Sequence, residues 1–304
     1  MDIGTVTCRL LLAQVEGTQL TELARRCEIT NLGIGVDETG VLREDAIQRV
    51  VAQIAEYVQV VNSFKTPQFP EIPIVAMATS ASRDAKNSAV LVEKLRALGV
   101  ELSVIEGQRE AALSFRGASC GFEGENLLVA DIGGGSTEIV MGVGGQQPKL
   151  AHSFNIGCRR VTERFLGSNP PTAEECEAAR AWARQQFAPF FAEARAQGIS
   201  ISRIVAVAGT ATSVVSIDKK MVEYNSAEVH KTTVPKQTLQ RIYSNLRSLP
   251  LEQRKQVVGL EPARASVIVA GMGILLEVLA AAQCESFTVS ESDILQGMIL
   301  GACE

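Results

Sequence analysis

The chain switches repeatedly between short apolar blocks and longer stretches in which apolar residues return every three or four positions. The second pattern is clearest in Glu44–Phe64, where Ile47, Val50, Val51, Ile54, Ala55 and Val58 form one stripe of an amphipathic helix. Similar reasoning predicts helices over Ser80–Asn87, Ala89–Leu98, Gly107–Phe115, Ala173–Gln197, Pro235–Leu246, Ala263–Ala282 and Asp293–Cys303. Thr172, with Glu175 three residues on, supplies a capping box for the helix at 173. Ile72–Ala78, Leu102–Ile105, Ile204–Ala208 and Ser286–Ser290 are too short for helices and read as strands. Arg9–Val15 and Leu20–Ile29 flank a Gly17 turn, while Leu127–Asp131 and Thr137–Val143 flank three consecutive glycines, so each pair reads as neighbouring strands. Asn31–Gly40 is a glycine- and acid-rich loop. Strand and helix alternate, which favours parallel or mixed sheets covered by helices, an α/β class.

At 304 residues the chain exceeds one compact core, and two domains are expected. The boundary is placed near residue 118, with the last helix returning to the first half: residues 1–118 plus 291–304, and 119–290. The charge balance is 29 basic against 34 acidic residues with no basic run, which argues against nucleic acid as a partner. Seven dispersed cysteines without a C-x-x-C pair indicate reduced thiols and a cytoplasmic protein. The longest apolar stretch, Val267–Leu276, is too short to span a bilayer, so no membrane role is expected. Only His152 and His230 are available as histidines, and neither sits in a pattern suited to a triad or a metal centre. Chemistry therefore falls to carboxylates.

Asp-Ile-Gly occurs twice, at Asp2–Gly4 and Asp131–Gly133, each opening a turn of small and hydroxyl residues. The first continues Thr5-Val6-Thr7-Cys8-Arg9; the second continues Gly134-Gly135-Ser136-Thr137-Glu138. Such turns present backbone N–H groups to an anion, with a carboxylate at the edge, and the two copies read as halves of one phosphate clamp. Asp131 and Glu138 bracket the second turn, and hard oxygen ligands beside a phosphate cradle suit Mg²⁺. Gly209-Thr210 opens a helix after a strand, a third place where free N–H groups can face phosphate. Arg83 follows the strand Ile72–Ala78, where open α/β sheets hold ligands. Glu110 lies in the first turn of its helix; by position alone it is a glutamate stabilised by the helix dipole. Arg159-Arg160 reads as one buried stem and one solvated head, and no P-loop is present.

With these residues together, the chain resembles the exopolyphosphatase/guanosine pentaphosphate phosphohydrolase (Ppx/GppA) family. Asp2–Arg9, Thr79–Asn87, Gly107–Ala111, Asp131–Glu138 and Ala208–Thr212 match its segments in order, supported by Asn155-Ile156-Gly157 with Arg160, Val229-His230, Pro262–Ala265 and Val289–Glu291. The resemblance implies two related actin-like, acetate/sugar-kinase (ribonuclease H-like) domains with a cleft between them. It implies that Glu110 is the general base, in place of the bland role its position suggests. It makes Asp2, Asp131 and Glu138 the carboxylates that organise Mg²⁺ or Mn²⁺. It assigns Gly4, Thr5, Thr7, Arg9, Arg83, Gly133, Gly134, Gly135, Ser136, Thr137, Gly209 and Thr210 to substrate phosphates. The expected substrate is inorganic polyphosphate, with guanosine pentaphosphate as the rival, and a homodimer is compatible with the helical second half. A small-molecule kinase of the same fold and a non-catalytic polyphosphate or nucleotide sensor are two further readings. The chain also departs from the family pattern. Only Met1 precedes Asp2, which implies a frayed first turn or a start codon assigned too late, and Val6 replaces a polar residue. Ala208 and Lys231 stand where the family has glycine, and Ser266 where it has an acid. The chain ends where longer members continue into a helical region, so it looks like the short form.

Overall fold

The computed structural model describes residues 1–17 and 19–303. Among these residues two mixed sheets form. The first contains β1 (Asp2–Ile3), β2 (Thr7–Glu16), β3 (Gln19–Ile29), β4 (Ala76–Ala78) and β5 (Leu102–Val104), in the order β3-β2-β1-β4-β5. The second contains β6 (Asn126–Ile132), β7 (Thr137–Val143), β8 (Pro148–Phe154), β9 (Arg203–Val207), β10 (Thr233–Pro235) and β11 (Ser286–Val289), in the order β10-β11-β9-β6-β7-β8.

The two sheets repeat one plan. In each, an Asp-Ile strand sits centrally, pairs antiparallel with the next strand and parallel with a later one. Asp2 lies opposite Arg9 and beside Met77; Asp131 lies opposite Glu138 and beside Val207. The two Asp-Ile-Gly turns are therefore topological equivalents.

Several expectations change. Asp2–Ile3 is not frayed: it lies in mid-sheet, Met1 is buried, and Met77 N–H donates to the Met1 carbonyl at 3.0 Å. The run Ile72–Ala78 yields a strand only at Ala76–Ala78. Pro73 lacks an N–H, the neighbouring β1 offers two ladder positions, and Ile72 and Ile74 pack on the core without pairing. The helix Cys158–Phe165 is an addition that periodicity does not predict, because four of its eight residues are charged and only Cys158 and Val161 are buried. The capping box is present, with Glu175 N–H donating to Thr172 Oγ1 at 3.1 Å and Thr172 N–H to Glu175 Oε2 at 2.8 Å.

The first sheet packs on the helix Glu44–Ser63 through Ile47, Val50, Ile54 and Tyr57. The second buries one face under the helices Ala173–Ala196 and Ile268–Ala281. Its other face receives Ala111, Phe115 and Ala118 of the helix Gly107–Ala118. The closing helix Ile294–Ala302 packs Leu295 and Met298 on Leu11, Met77 and Ile105 of the first-sheet side. These two helices cross with backbone contact. A Cβ on Gly117 would lie 1.7 Å from the Asp293 carbonyl oxygen, and one on Gly297 would lie 1.9 Å from that of Leu113. Among the described residues no helix is long and apolar enough to cross a membrane.

Candidate active site

Both Asp-Ile-Gly turns, Glu110 and the start of the helix Ala208–Asp218 open into one cavity of about 830 Å³ between the sheets. The triple-glycine turn shows why small residues are needed there. Its carbonyls are held from behind by the start of the helix Cys158–Phe165. Gly133 O accepts from Cys158 N–H at 2.9 Å, and Gly134 O accepts from Arg159 N–H at 2.8 Å. Gly135 O accepts from Arg160 Nε at 2.8 Å. With the carbonyls engaged, the amides of Gly134, Gly135 and Ser136 have no backbone acceptor among the described residues. Free amides of this kind bind anions. The approach is close: a Cβ on Gly157 would meet the Gly134 carbonyl carbon at 2.3 Å, and one on Gly134 would meet Val6 at 2.6 Å. Val6 therefore seals the turn instead of offering a donor.

Three carboxylates converge beside this cradle. Glu110 is 7% exposed, Asp131 7% and Glu138 1%, and all three line the cavity. Asp131 and Glu138 face each other across the β6–β7 ladder, where like charges repel. Hydroxyls orient them: Ser114 Oγ donates to Asp131 Oδ2 and Ser153 Oγ to Glu138 Oε1, each at 2.6 Å. Glu110 Oε2 accepts from Arg83 Nη1 at 2.9 Å, and the same nitrogen donates to the Ile105 carbonyl at 3.0 Å. Burial pushes the Glu110 carboxyl up to about 7; Arg83 opposes this, and the Asp131 and Asp2 charges add to it. Burial, then the Asp293 charge, raises Asp131 to about 6. Burial and the charges of Glu110 and Asp131 move Glu138 in the same direction.

This donor set fits a divalent cation. Asp2 Oδ1 is buried with no hydrogen-bond partner, and Asp131 and Glu138 both hold raised proton affinity that a cation would relieve. Among the described residues no three carboxylate, histidine or cysteine groups close around an ion on their own. Mg²⁺, which keeps waters and shares phosphate oxygens, does not require such a cage.

The structure brings most of the expected residues together. Asp2, Gly4, Thr5, Thr7, Arg9, Glu110, Asp131, Gly133, Gly134, Gly135, Ser136, Glu138 and Gly209 all line the cavity. Arg83 stands behind Glu110 instead of on the wall. Thr137 is fully buried and donates to the Ile156 carbonyl, and Thr210 packs against Gly271, so neither reaches the cavity. Arg9 binds Asp2 at 2.7 Å and pairs with Asp293, which commits its guanidinium to two carboxylates. The two glycine replacements carry strain. Ala208 has φ 65° and Lys231 φ 61°, left-handed backbone that glycine adopts freely.

Sequence reasoning passed over Arg25, Arg26, Tyr224 and Arg264, all of which line the same cavity. Arg25 and Arg26 lie within β3 and carry no local signal beyond a strand. Arg264 lies over Gly209, where a Cβ would sit 2.0 Å from its Nη1. It forms no ion pair among the described residues, which leaves a cation facing the cavity. Its Pro262–Ala265 segment carries a signal as a supporting family motif, and the kinase reading places an adenosine pocket between the Gly209 loop and Arg264–Gly271, but neither assigns Arg264 a phosphate role.

The arrangement matches known proteins over its whole length. The profile of the Ppx/GppA phosphatase family covers residues 11–304. Exopolyphosphatase 2 of Mycobacterium tuberculosis is 35% identical over 99% of this chain and 96% of its own. A crystal structure of an exopolyphosphatase-like protein superposes with a TM-score of 0.88 at 30% identity, covering 99% of this chain and 97% of its own. The Aquifex aeolicus member of the family gives 0.81 at 28% identity, covering 99% and 95%. The two-domain, actin-like α/β fold expected from the motifs is thus borne out. The chain belongs to the Ppx/GppA phosphatase family, and with it to the phosphoanhydride hydrolases.

Proposed function

We propose that the cleft removes the terminal phosphate of inorganic polyphosphate, using a water activated by Glu110. One observation carries this reading: the buried Glu110 carboxyl, held by Arg83, lines the same cavity as the Asp131–Glu138 pair and the glycine turn, and burial pushes it up to about 7. A base with a pKa near the working pH suits proton abstraction from water. Phosphoryl transfer needs positioning and charge neutralisation more than covalent chemistry. The free amides of Gly134, Gly135 and Ser136 hold the terminal phosphate, and Arg83 fixes the Glu110 carboxylate toward the attacking water. Asp131 and Glu138, with Asp2 Oδ1 at the edge, would hold Mg²⁺ or Mn²⁺, and such an ion would supply neutralisation of phosphate charge. The Arg264 guanidinium receives the next phosphates along the chain.

A second reading, hydrolysis of the 5′ end of guanosine pentaphosphate, is favoured by exposed apolar groups on the cavity wall. Tyr224 is 53% exposed and Val222 91%, and both line the cavity, offering apolar contact that a phosphate chain does not use. Phosphate release from long-chain polyphosphate and from guanosine pentaphosphate, with Mg²⁺ and with EDTA, separates the two. Release from polyphosphate that stops in EDTA supports the leading reading, and release from guanosine pentaphosphate alone supports the second. No release from either with Mg²⁺ present overturns both.

A further inference from the structure

We propose that Arg160 is a positioning residue that couples the phosphate cradle to closure of the cleft, an inference that rests on the reading of that cradle as the phosphate site. Its Nε donates to the Gly135 carbonyl at 2.8 Å. The same guanidinium pairs with Asp37 and Asp84 and lies 3.5 Å from Ser80 Oγ. Gly135 belongs to the turn of the second sheet. Asp37 lies in the short helix Val36–Thr39 and Asp84 ends the helix Ser80–Asp84, both beside the first sheet. One planar side chain therefore grips the cradle with one edge and the opposite half of the molecule with the other.

The surroundings reinforce the link. Arg164 pairs with Asp37 at 2.8 Å, Arg159 donates to Asn31 Oδ1, and Gly35 N–H donates to Glu163 at 3.3 Å. Arg160 is 12% exposed, Asp37 17% and Asp84 26%, so water screens these pairs less than surface ones. When the halves part, Arg160 loses both carboxylates. It then keeps a single neutral acceptor, and the Gly135 carbonyl is held by an unrestrained side chain. The cradle reaches its binding geometry only in the closed cleft, so substrate affinity and closure rise together.

The test uses the whole chain with Arg160→Ala, Arg160→Lys and the double variant Asp37→Asn/Asp84→Asn, which leaves the Arg160–Gly135 bond in place. Small-angle scattering is recorded without ligand and with inorganic tripolyphosphate, and kinetics are measured on polyphosphate. The aspartate variant should show a larger ligand-free radius of gyration and a KM raised about tenfold, with kcat changed less than about threefold, as expected when the binding-competent population falls. Arg160→Ala should raise KM and also lower kcat, and lysine, without the planar fork, should not rescue it. Folded variants that keep the wild-type radius of gyration overturn the coupling. If wild type hydrolyses nothing, the functional reading fails while the ligand-free scattering still decides the coupling.

Discussion

Replacing Glu110 by glutamine should make the metal-free protein more stable at pH 8 while removing most of its turnover. Glu110 is 7% exposed, and its carboxyl is pushed up from 4.5 to about 7, chiefly by burial. A carboxyl raised in the folded state is neutral, and without penalty, below about pH 4.5; the penalty grows as pH rises and is complete above about pH 7. A shift of roughly 2.5 units corresponds to about 3 kcal/mol. Asp131 and Glu138 share protons with Glu110 and can take up part of the load, so the expected gain at pH 8 is about 1–3 kcal/mol. Glutamine resembles the neutral acid and keeps a carbonyl oxygen for Arg83, so at pH 5 the two proteins should differ little. Urea unfolding in EDTA at both pH values measures this, and Mg²⁺ should narrow the gap by neutralising the cluster. In phosphate release, loss of the general base should cost about 10²–10⁴ in kcat. A variant less stable than wild type at pH 8 by more than at pH 5, or one retaining turnover within tenfold, refutes the reasoning.

Two further substitutions test the framework. Gly157→Ala places a methyl 2.3 Å from the Gly134 backbone and should push the cradle out of position. It should destabilise by about 1–3 kcal/mol in denaturant unfolding and raise KM; wild-type KM would mean the turn tolerates displacement. Ala208→Gly releases a left-handed alanine at φ 65°. Strain relief of about 1 kcal/mol, offset in part by the freer unfolded glycine, should raise the melting temperature by about 1–2 °C. A fall would show that Ala208 is not strained.

Much of this protein is written in local pattern. The stripe Ile47–Val58, the Thr172–Glu175 cap and the triple glycine specify their helix, helix start and turn from residues within a few positions. The duplicated Asp-Ile-Gly signalled a repeated unit, and the repeat of strand pairing in both sheets follows from it. Where local information failed, the deciding contacts were distant ones. The Ile72–Ala78 strand was cut short by its neighbour's brevity, and the helix Cys158–Phe165 lies against glycine carbonyls more than twenty residues earlier.

What the amino-acid order alone determined was the set of elements and the chemistry available to them, because helix period, capping and glycine turns depend on near neighbours. Only the tertiary structure decided what that chemistry means. It turned Glu110 from a first-turn glutamate into a buried base beside Arg83, set Arg9 between Asp2 and Asp293, left Arg264 facing the cavity, and placed Thr137 and Thr210 out of reach of it. Proton affinity, ion pairing and exposure depend on which groups the folded chain brings within a few ångströms, and that proximity is absent from the order of residues.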